Sequence, residues 1–171
     1  MARLPFLRSL AAAPLLLAAA GPLLAATPPS NRTASAFVLH PLTLQKLEDM
    51  EFGGLASTTA GTAVINPVTN AISTTGGVTA ISGTPHAARF RGAAAGGPVV
   101  NIKVPTQPVK LTRVGGTQTI TLSNFTLDGP PKRVMGSSTS FDFRVGGTLT
   151  IGANQAAGDY VGTFTVTAQY P

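Results

Sequence analysis

Between residues 158 and 171 the chain alternates position by position. Tyr160, Phe164, Val166, Ala168 and Tyr170 fall on one side, and Thr163, Thr165, Thr167 and Gln169 on the other. A helix repeats its apolar positions every three or four residues, so a period of two held over about ten residues specifies a strand with one dry face and one wet one. The same period governs residues 117–127, where Ile120 and Leu122 alternate with Thr119, Thr121 and Ser123. Shorter alternations occupy 62–65, 99–104, 109–114, 140–145 and 148–151.

Paired glycines and prolines separate these runs, at Gly53-Gly54, Gly76-Gly77, Gly96-Gly97-Pro98, Gly115-Gly116, Gly129-Pro130-Pro131 and Gly146-Gly147. Glycine supplies positive φ and proline withdraws a backbone donor, so each cluster is expected to end a strand and reverse the chain. Short strands at about ten-residue spacing, with no helical-period segment between them, predict an all-β fold. The expected form is an antiparallel β-sandwich, immunoglobulin-like or pilin-like. Residues 42–50, LTLQKLEDM, could make two helical turns, but Pro41 before them and Phe52-Gly53-Gly54 after them favour an extended segment.

The first residues announce an export route. Arg3 and Arg8 precede an almost unbroken Leu/Ala run to Leu24, and Ala25-Ala26 offers a small-residue exit, the layout of a secretory signal peptide over residues 1–26. The run is about 16 residues long and carries Pro14 and Pro22, short and kinked for a spanning helix that needs roughly 20. The expected localisation is therefore periplasm, then cell surface or medium, with no membrane span after signal removal. The organisation expected is a signal peptide at 1–26, an N-terminal extension at 27–41 and one sandwich domain at 42–171.

The formal charge of +6 does not make a nucleic-acid protein. Without residues 1–26, Lys plus Arg falls to 12 − 2 = 10 against six acids. Those ten are scattered and only Lys132 and Arg133 are adjacent, so neither a phosphate-tracking groove nor a base-stacking platform is expected. Cysteine is absent, so stability in an oxidising space must come from packing and backbone pairing alone.

Catalysis lacks raw material. His40 and His86 stand apart, and no serine elbow or adjacent acid suggests a triad. Glu48, Asp49 and Glu51 are near neighbours on an extended segment, where successive side chains point to different faces and do not converge as an acid/base pair. They are better placed along a solvated edge. Asn154 and Asp159 read as turn formers around Ala157-Gly158, and no Asp/Asn-rich calcium loop is present. No enzyme activity, cofactor or metal is expected. Asn31-Arg32-Thr33 and Asn124-Phe125-Thr126 match the glycosylation pattern, at a frequency a chain with 23 Thr produces by chance.

Several of these elements together resemble a known family. They are Glu51-Phe52-Gly53 after a short apolar strand, Gly76-Gly77-Val78, Asn124-Phe125 as a strand end, and above all GGTLTIGANQAAGDYVGTFTVTAQY over residues 146–170. The chain resembles the exported bacterial proteins of domain-of-unknown-function family 4402 from about Leu42 to Tyr170. The same ending is similar to fimbrial subunits of the chaperone-usher type, in which a glycine commonly stands fourteenth from the end and an aromatic residue second from the end. Gly158 and Tyr170 hold those two places. The resemblance implies a periplasmic chaperone that caps the final strand, an outer-membrane usher, and neighbouring like subunits whose N-terminal extension replaces the chaperone. The residues implied in partner binding are Gly158, Tyr160, Phe164, Val166, Ala168 and Tyr170.

A sandwich lacking one strand exposes unpaired N–H and C=O groups beside an apolar groove, and a strand from another molecule satisfies both. A donor needs an apolar N-terminal segment. Residues 27–33 are Pro-rich and polar, whereas residues 34–40, ASAFVLH, place Phe37 and Leu39 on one face. That segment is either a donor strand or the first strand of its own sandwich. Two functions follow: an exported structural subunit of a fimbria-like assembly joined by donor-strand complementation, or a stand-alone secreted or surface sandwich that binds a glycan or protein through its loops.

Overall fold

The computed structural model describes residues 41–94, 99–135 and 139–171, and every regular element among them is a strand. Eleven strands follow in chain order: β1 (Thr43–Glu48), β2 (Gly54–Ile65), β3 (Ile72–Ser82), β4 (Ala88–Ala93), β5 (Val99–Lys103), β6 (Val109–Arg113), β7 (Thr119–Leu127), β8 (Lys132–Val134), β9 (Ser140–Ile151), β10 (Tyr160–Val161) and β11 (Thr167–Gln169). All pairings are antiparallel. The fold is an all-β, sandwich-like arrangement of an eight-stranded sheet and a three-stranded sheet ordered β11-β5-β8.

The organising strand is β9. Its first half pairs with β4, from Ala93↔Ser140 to Ala88↔Val145, and its second half pairs with β2, from Ile65↔Gly147 to Gly61↔Ile151. The other edge of β9 pairs with β7, and the sheet continues through β6 to β10, while β1 extends it beyond β4.

Two of the expected strand breaks are corrected. Gly146-Gly147 lies inside β9 and Gly76-Gly77 inside β3. The physical reason at Gly146 is a close approach of backbone, not a turn: a Cβ there would collide with the carbonyl oxygen of Ile65 and with the Pro67 ring. A glycine in a strand interior often marks such a close approach. By contrast, Gly53-Gly54 leads into β2 and Gly115 sits at the β6–β7 turn with φ 71°. Residues 42–50 are extended, with β1 running from Thr43 to Glu48.

A third correction concerns β7. Asn124-Phe125 does not end it; the strand runs on to Leu127. Ser123 pairs with Thr148 and Thr126 with Gly146, so Asn124 and Phe125 together oppose Gly147, a β-bulge. Asn124 takes the left-handed conformation, φ 50°, which short polar side chains tolerate best after glycine. The extra residue moves the alternation by one. Ile120 and Leu122 face inward before it, and Phe125 and Leu127 pack on the core after it.

The core forms where the inward faces meet. Phe90, Phe143 and Val145 of the larger sheet pack with Ile102 of the smaller one, and the Phe90 and Phe143 rings stack at 5.3 Å. Phe143 and Val145 are essentially without exposure, each worth about 2 kcal/mol in removed apolar surface. A second cluster gathers Ala63, Ile65, Ile120, Leu122, Leu149 and Ile151 under Phe52. A third joins Val100 and Met135 to Leu42, Ala168 and Tyr170.

The outer face of β4 and β9 carries ionic pairs. Asp142 accepts from Arg91 Nε at 2.7 Å and from Nη2 of Arg91 and of Arg89 at 2.9 Å each. The hydrogen bond from Arg91 is the main reason that its carboxyl is held down to about 2, from 3.8. The three neighbouring acids disperse as expected of an edge: Glu48 lies 3.6 Å from Arg89, Asp49 is bonded to Lys46, and Glu51 bridges His86 through backbone hydrogen bonds.

Candidate functional site

The predicted final strand is two short strands with an unpaired middle, another departure from the expected unbroken run. Tyr160 and Val161 pair with Arg113 and Thr112 of β6, and Thr167 to Gln169 pair with Lys103 to Asn101 of β5. Residues 162–166 join them without belonging to either sheet. The partner explains the gap. Five connecting residues separate β5 from β6 in sequence, and they include Pro105 and Pro108, which have no N–H to offer a ladder.

Side-chain alternation survives where hydrogen bonding does not. Tyr160, Phe164, Val166, Ala168 and Tyr170 are all half-buried, while Thr163, Thr165, Thr167 and Gln169 are exposed. Phe164 packs against two of the core clusters, with its ring 5.1 Å from that of Phe125, and Val166 joins the cluster around Phe143. The structure thus brings five of the six predicted C-terminal positions onto one apolar face.

Gly158, the sixth, precedes the ribbon. Its φ of 143° and the Arg113 side chain lying over it, whose Nε would be 2.7 Å from an added Cβ, leave no room for a larger residue. Arg113 Nε donates to the carbonyl of Ala157 at 2.7 Å, and the Tyr160 hydroxyl donates to that of Ala156 at 2.7 Å while accepting from Gln155 Nε2. These bonds fix where the ribbon starts.

The ribbon's edges are unequal. Val114 N–H donates to Asp159 O at 2.8 Å, so Asp159, and two residues on Val161, direct their backbone groups toward β6, and Tyr160 directs its own away. At the far end Ile102 N–H donates to Pro131 O, on the β8 side. Its partner Ala168 therefore also turns away from β5. Tyr160 and Ala168 have the same parity, so both ends of the ribbon present the same edge, roughly 26 Å long at ~3.3 Å per residue. Among the described residues no strand pairs with that edge.

Beside it lies a groove of about 580 Å³, lined on one rim by residues 50–57 and on the other by 155–160, with Leu111, Ile120, Leu149 and Ile151 as its floor. Among the described residues the first half of β2, Gly54 to Ser57, pairs with β3 alone, so its other edge is open, whereas on the opposite rim the carbonyls of Ala156, Ala157 and Asp159 are engaged. Ile81 overlooks the groove at 66% exposure. A shallower cleft lies between 103–109 and 163–167.

Phe37 and Leu39, the expected donor residues, lie outside the described residues, as do the signal peptide and His40. His86 lies in the β3–β4 connection, bridged to Glu51, its ring Nδ1 2.7 Å from Thr84 O. Among the described residues no three His, Cys, Asp or Glu side chains gather as metal ligands, and no helix is long and apolar enough to cross a membrane. Sequence reading missed Leu55, Ile81 and Arg113 at the site. Nothing in their local pattern marks them, because the curl of β2 toward β10 is a tertiary feature.

One family model, described as a domain of unknown function (DUF4402), matches residues 42–170. No curated protein and no solved structure matches the chain. With most of its length matched, the chain belongs to the DUF4402 family.

Proposed function

We propose that this member of the DUF4402 family is an exported structural subunit of a fimbria-like surface assembly, joined to its neighbours by strand addition at the C-terminal ribbon. The observation that carries this reading is the edge from Tyr160 to Ala168, which no strand among the described residues covers and which runs beside an apolar face. A strand laid there gains main-chain hydrogen bonds and buries alternate side chains together. Left uncovered, such an edge favours uncontrolled association. A periplasmic chaperone that holds it until an outer-membrane usher delivers the next subunit is the partner set that fits. The expectation of a stand-alone binder through loops has no such feature in its support.

The full chain, expressed without other components and examined by size-exclusion chromatography with light scattering, is expected to form swapped or open-ended multimers. A cooperative, concentration-independent monomer would sink the assembly reading and favour the stand-alone sandwich.

A further inference from the structure

We propose that Arg144, on the outer face of the larger sheet, binds the carboxylate of an acidic sugar. The site lies away from the C-terminal ribbon and is independent of the strand-addition reading.

Five arginines fall among the described residues, and four of them have partners. Arg89 and Arg91 donate to Asp142, Arg113 to the carbonyl of Ala157 and Arg133 to Asp128. Among the described residues Arg144 makes no hydrogen bond and no ion pair. Its Nε is enclosed without a partner, while its two terminal nitrogens are open to solvent. A buried donor without a partner is uncommon in a folded protein and calls for a cause. Burial at Nε also holds the guanidinium still, so little ordering is left for a ligand to impose.

The surroundings show why no acid of the chain answers Arg144. Alternation along β9 places it on the same face as Asp142, opposite to Phe143 and Val145 of the core. Register sets Arg89 of β4 directly across from it on one side. On the other side stands Asp128, whose N–H donates to Arg144 O at 3.1 Å. Like charges directly opposite each other in a sheet are destabilising. The nearby carboxylates are nonetheless committed elsewhere. Asp142 accepts three hydrogen bonds from Arg91 and Arg89, Glu48 lies 3.6 Å from Arg89, and Asp128 is held by Arg133 at 2.7 Å. Arg89, Arg91, Arg133 and Arg144 thus share three acids, and the surplus positive charge rests on Arg144.

An oxyanion supplies the missing charge. The planar fork of arginine takes both oxygens of one carboxylate at once, and a doubly charged group is disfavoured by Asp128 and Asp142 on either side. A peptide suits the place poorly, because β9 is paired here on both edges, with β4 and with the end of β7. No backbone is therefore free to receive an added strand. The outward neighbours on these strands are Arg89, Asp142 and the exposed Thr126, charged or hydroxylated. Such groups suit a ligand rich in hydroxyls.

Binding is measured by titration calorimetry of the full chain at about 0.15 M salt, where exposed charges more than ~8 Å apart are largely screened. The probes are oligogalacturonate, oligomannuronate, their methyl esters and poly-L-glutamate. At least one uronate oligomer is expected to bind saturably, and its uncharged methyl ester is not. Arg144→Gln is expected to weaken that binding about tenfold or more, the loss of one charge-assisted pair, without lowering the melting temperature, since it removes the repulsion from Arg89. Arg144→Lys keeps the charge without the fork and should lose most of the same affinity. Lys110→Gln, at an exposed cation of β6, should bind as the parent does.

No saturable binding of either uronate oligomer would overturn the proposal. So would undiminished binding by Arg144→Gln, or equal losses in Arg144→Gln and Lys110→Gln, which mark a diffuse attraction to net charge. A methyl ester that binds as tightly as the acid would exclude the carboxylate, and poly-L-glutamate that binds as tightly as the uronates would exclude the sugar. None of these results touches strand addition, whose test is the oligomeric state.

Discussion

The rings of Phe125 and Phe164 meet at 5.1 Å between centroids and a tilt of 41°, so the unpaired middle of the C-terminal ribbon is held by a residue that the β7 bulge turns inward. Among the described residues Phe164 pairs with no strand that could replace that contact. Phe164→Ala is expected to lower stability by about 2 kcal/mol, less than for a fully buried large aromatic because the side chain is only half-buried. A double-mutant cycle with Phe125→Ala in urea is expected to give about 1 kcal/mol of coupling. Additive losses would show that the two rings do not act together.

The bulge makes its own demand. Asn124 sits at φ 50°, where a β-branched residue is strained. Asn124→Val should cost about 1–2 kcal/mol, whereas Asn124→Gly should be close to neutral. Equal midpoints for the two variants in chemical denaturation would refute the assigned conformation.

Acid should probe the outer face of β4 and β9. The Asp142 carboxyl is held at about 2 by Arg91 and Arg89, below its ordinary 3.8. A depressed folded-state value means that the stabilisation is present in full above about pH 4. It fades as pH falls toward 2, where folded and unfolded forms both take up the proton. Asp142→Asn should therefore be less stable than the parent at pH 6, with a gap that narrows steadily toward pH 2. A gap independent of pH in parallel melts would contradict the ion pair.

Chaperone capture can be read from the end of the chain. Tyr170→Ala removes a half-buried side chain next to Val100 and Met135, a modest loss for folding but a serious one where a partner must grip the terminus. Surface yield of the variant is expected to fall several-fold while its denaturation midpoint moves little. Parent-level yield would count against capture.

How far the sequence disclosed this architecture depended on whether hydrogen bonding followed hydrophobicity. The period of two located most strands and the half-buried face of Tyr160, Phe164, Val166 and Ala168. It could not show that Pro105 and Pro108 leave the middle of that ribbon without a ladder partner, because pairing is a property of two segments. The bulge did leave a trace: apolar positions step from Leu122 to Phe125, three residues instead of two, and Asn124 fills the gap. Gly146-Gly147 misled because a glycine required by the approach of Ile65 looks, one residue at a time, like a glycine required by a turn. The groove was invisible, since its rims come from residues about a hundred positions apart.

The place of β9 in the sheet bears on when the molecule can exist at all. β2 and β4 reach their shared neighbour only through residues 140–151. A polypeptide emerging in N-to-C order holds separate antiparallel pairs, β1 with β4, β2 with β3, β5 with β8 and β6 with β7, until that late stretch arrives to join β2, β4 and β7. Such long-range closure is slow. The larger sheet can therefore close only after the 139 residues before β9, of the chain's 171, have been made.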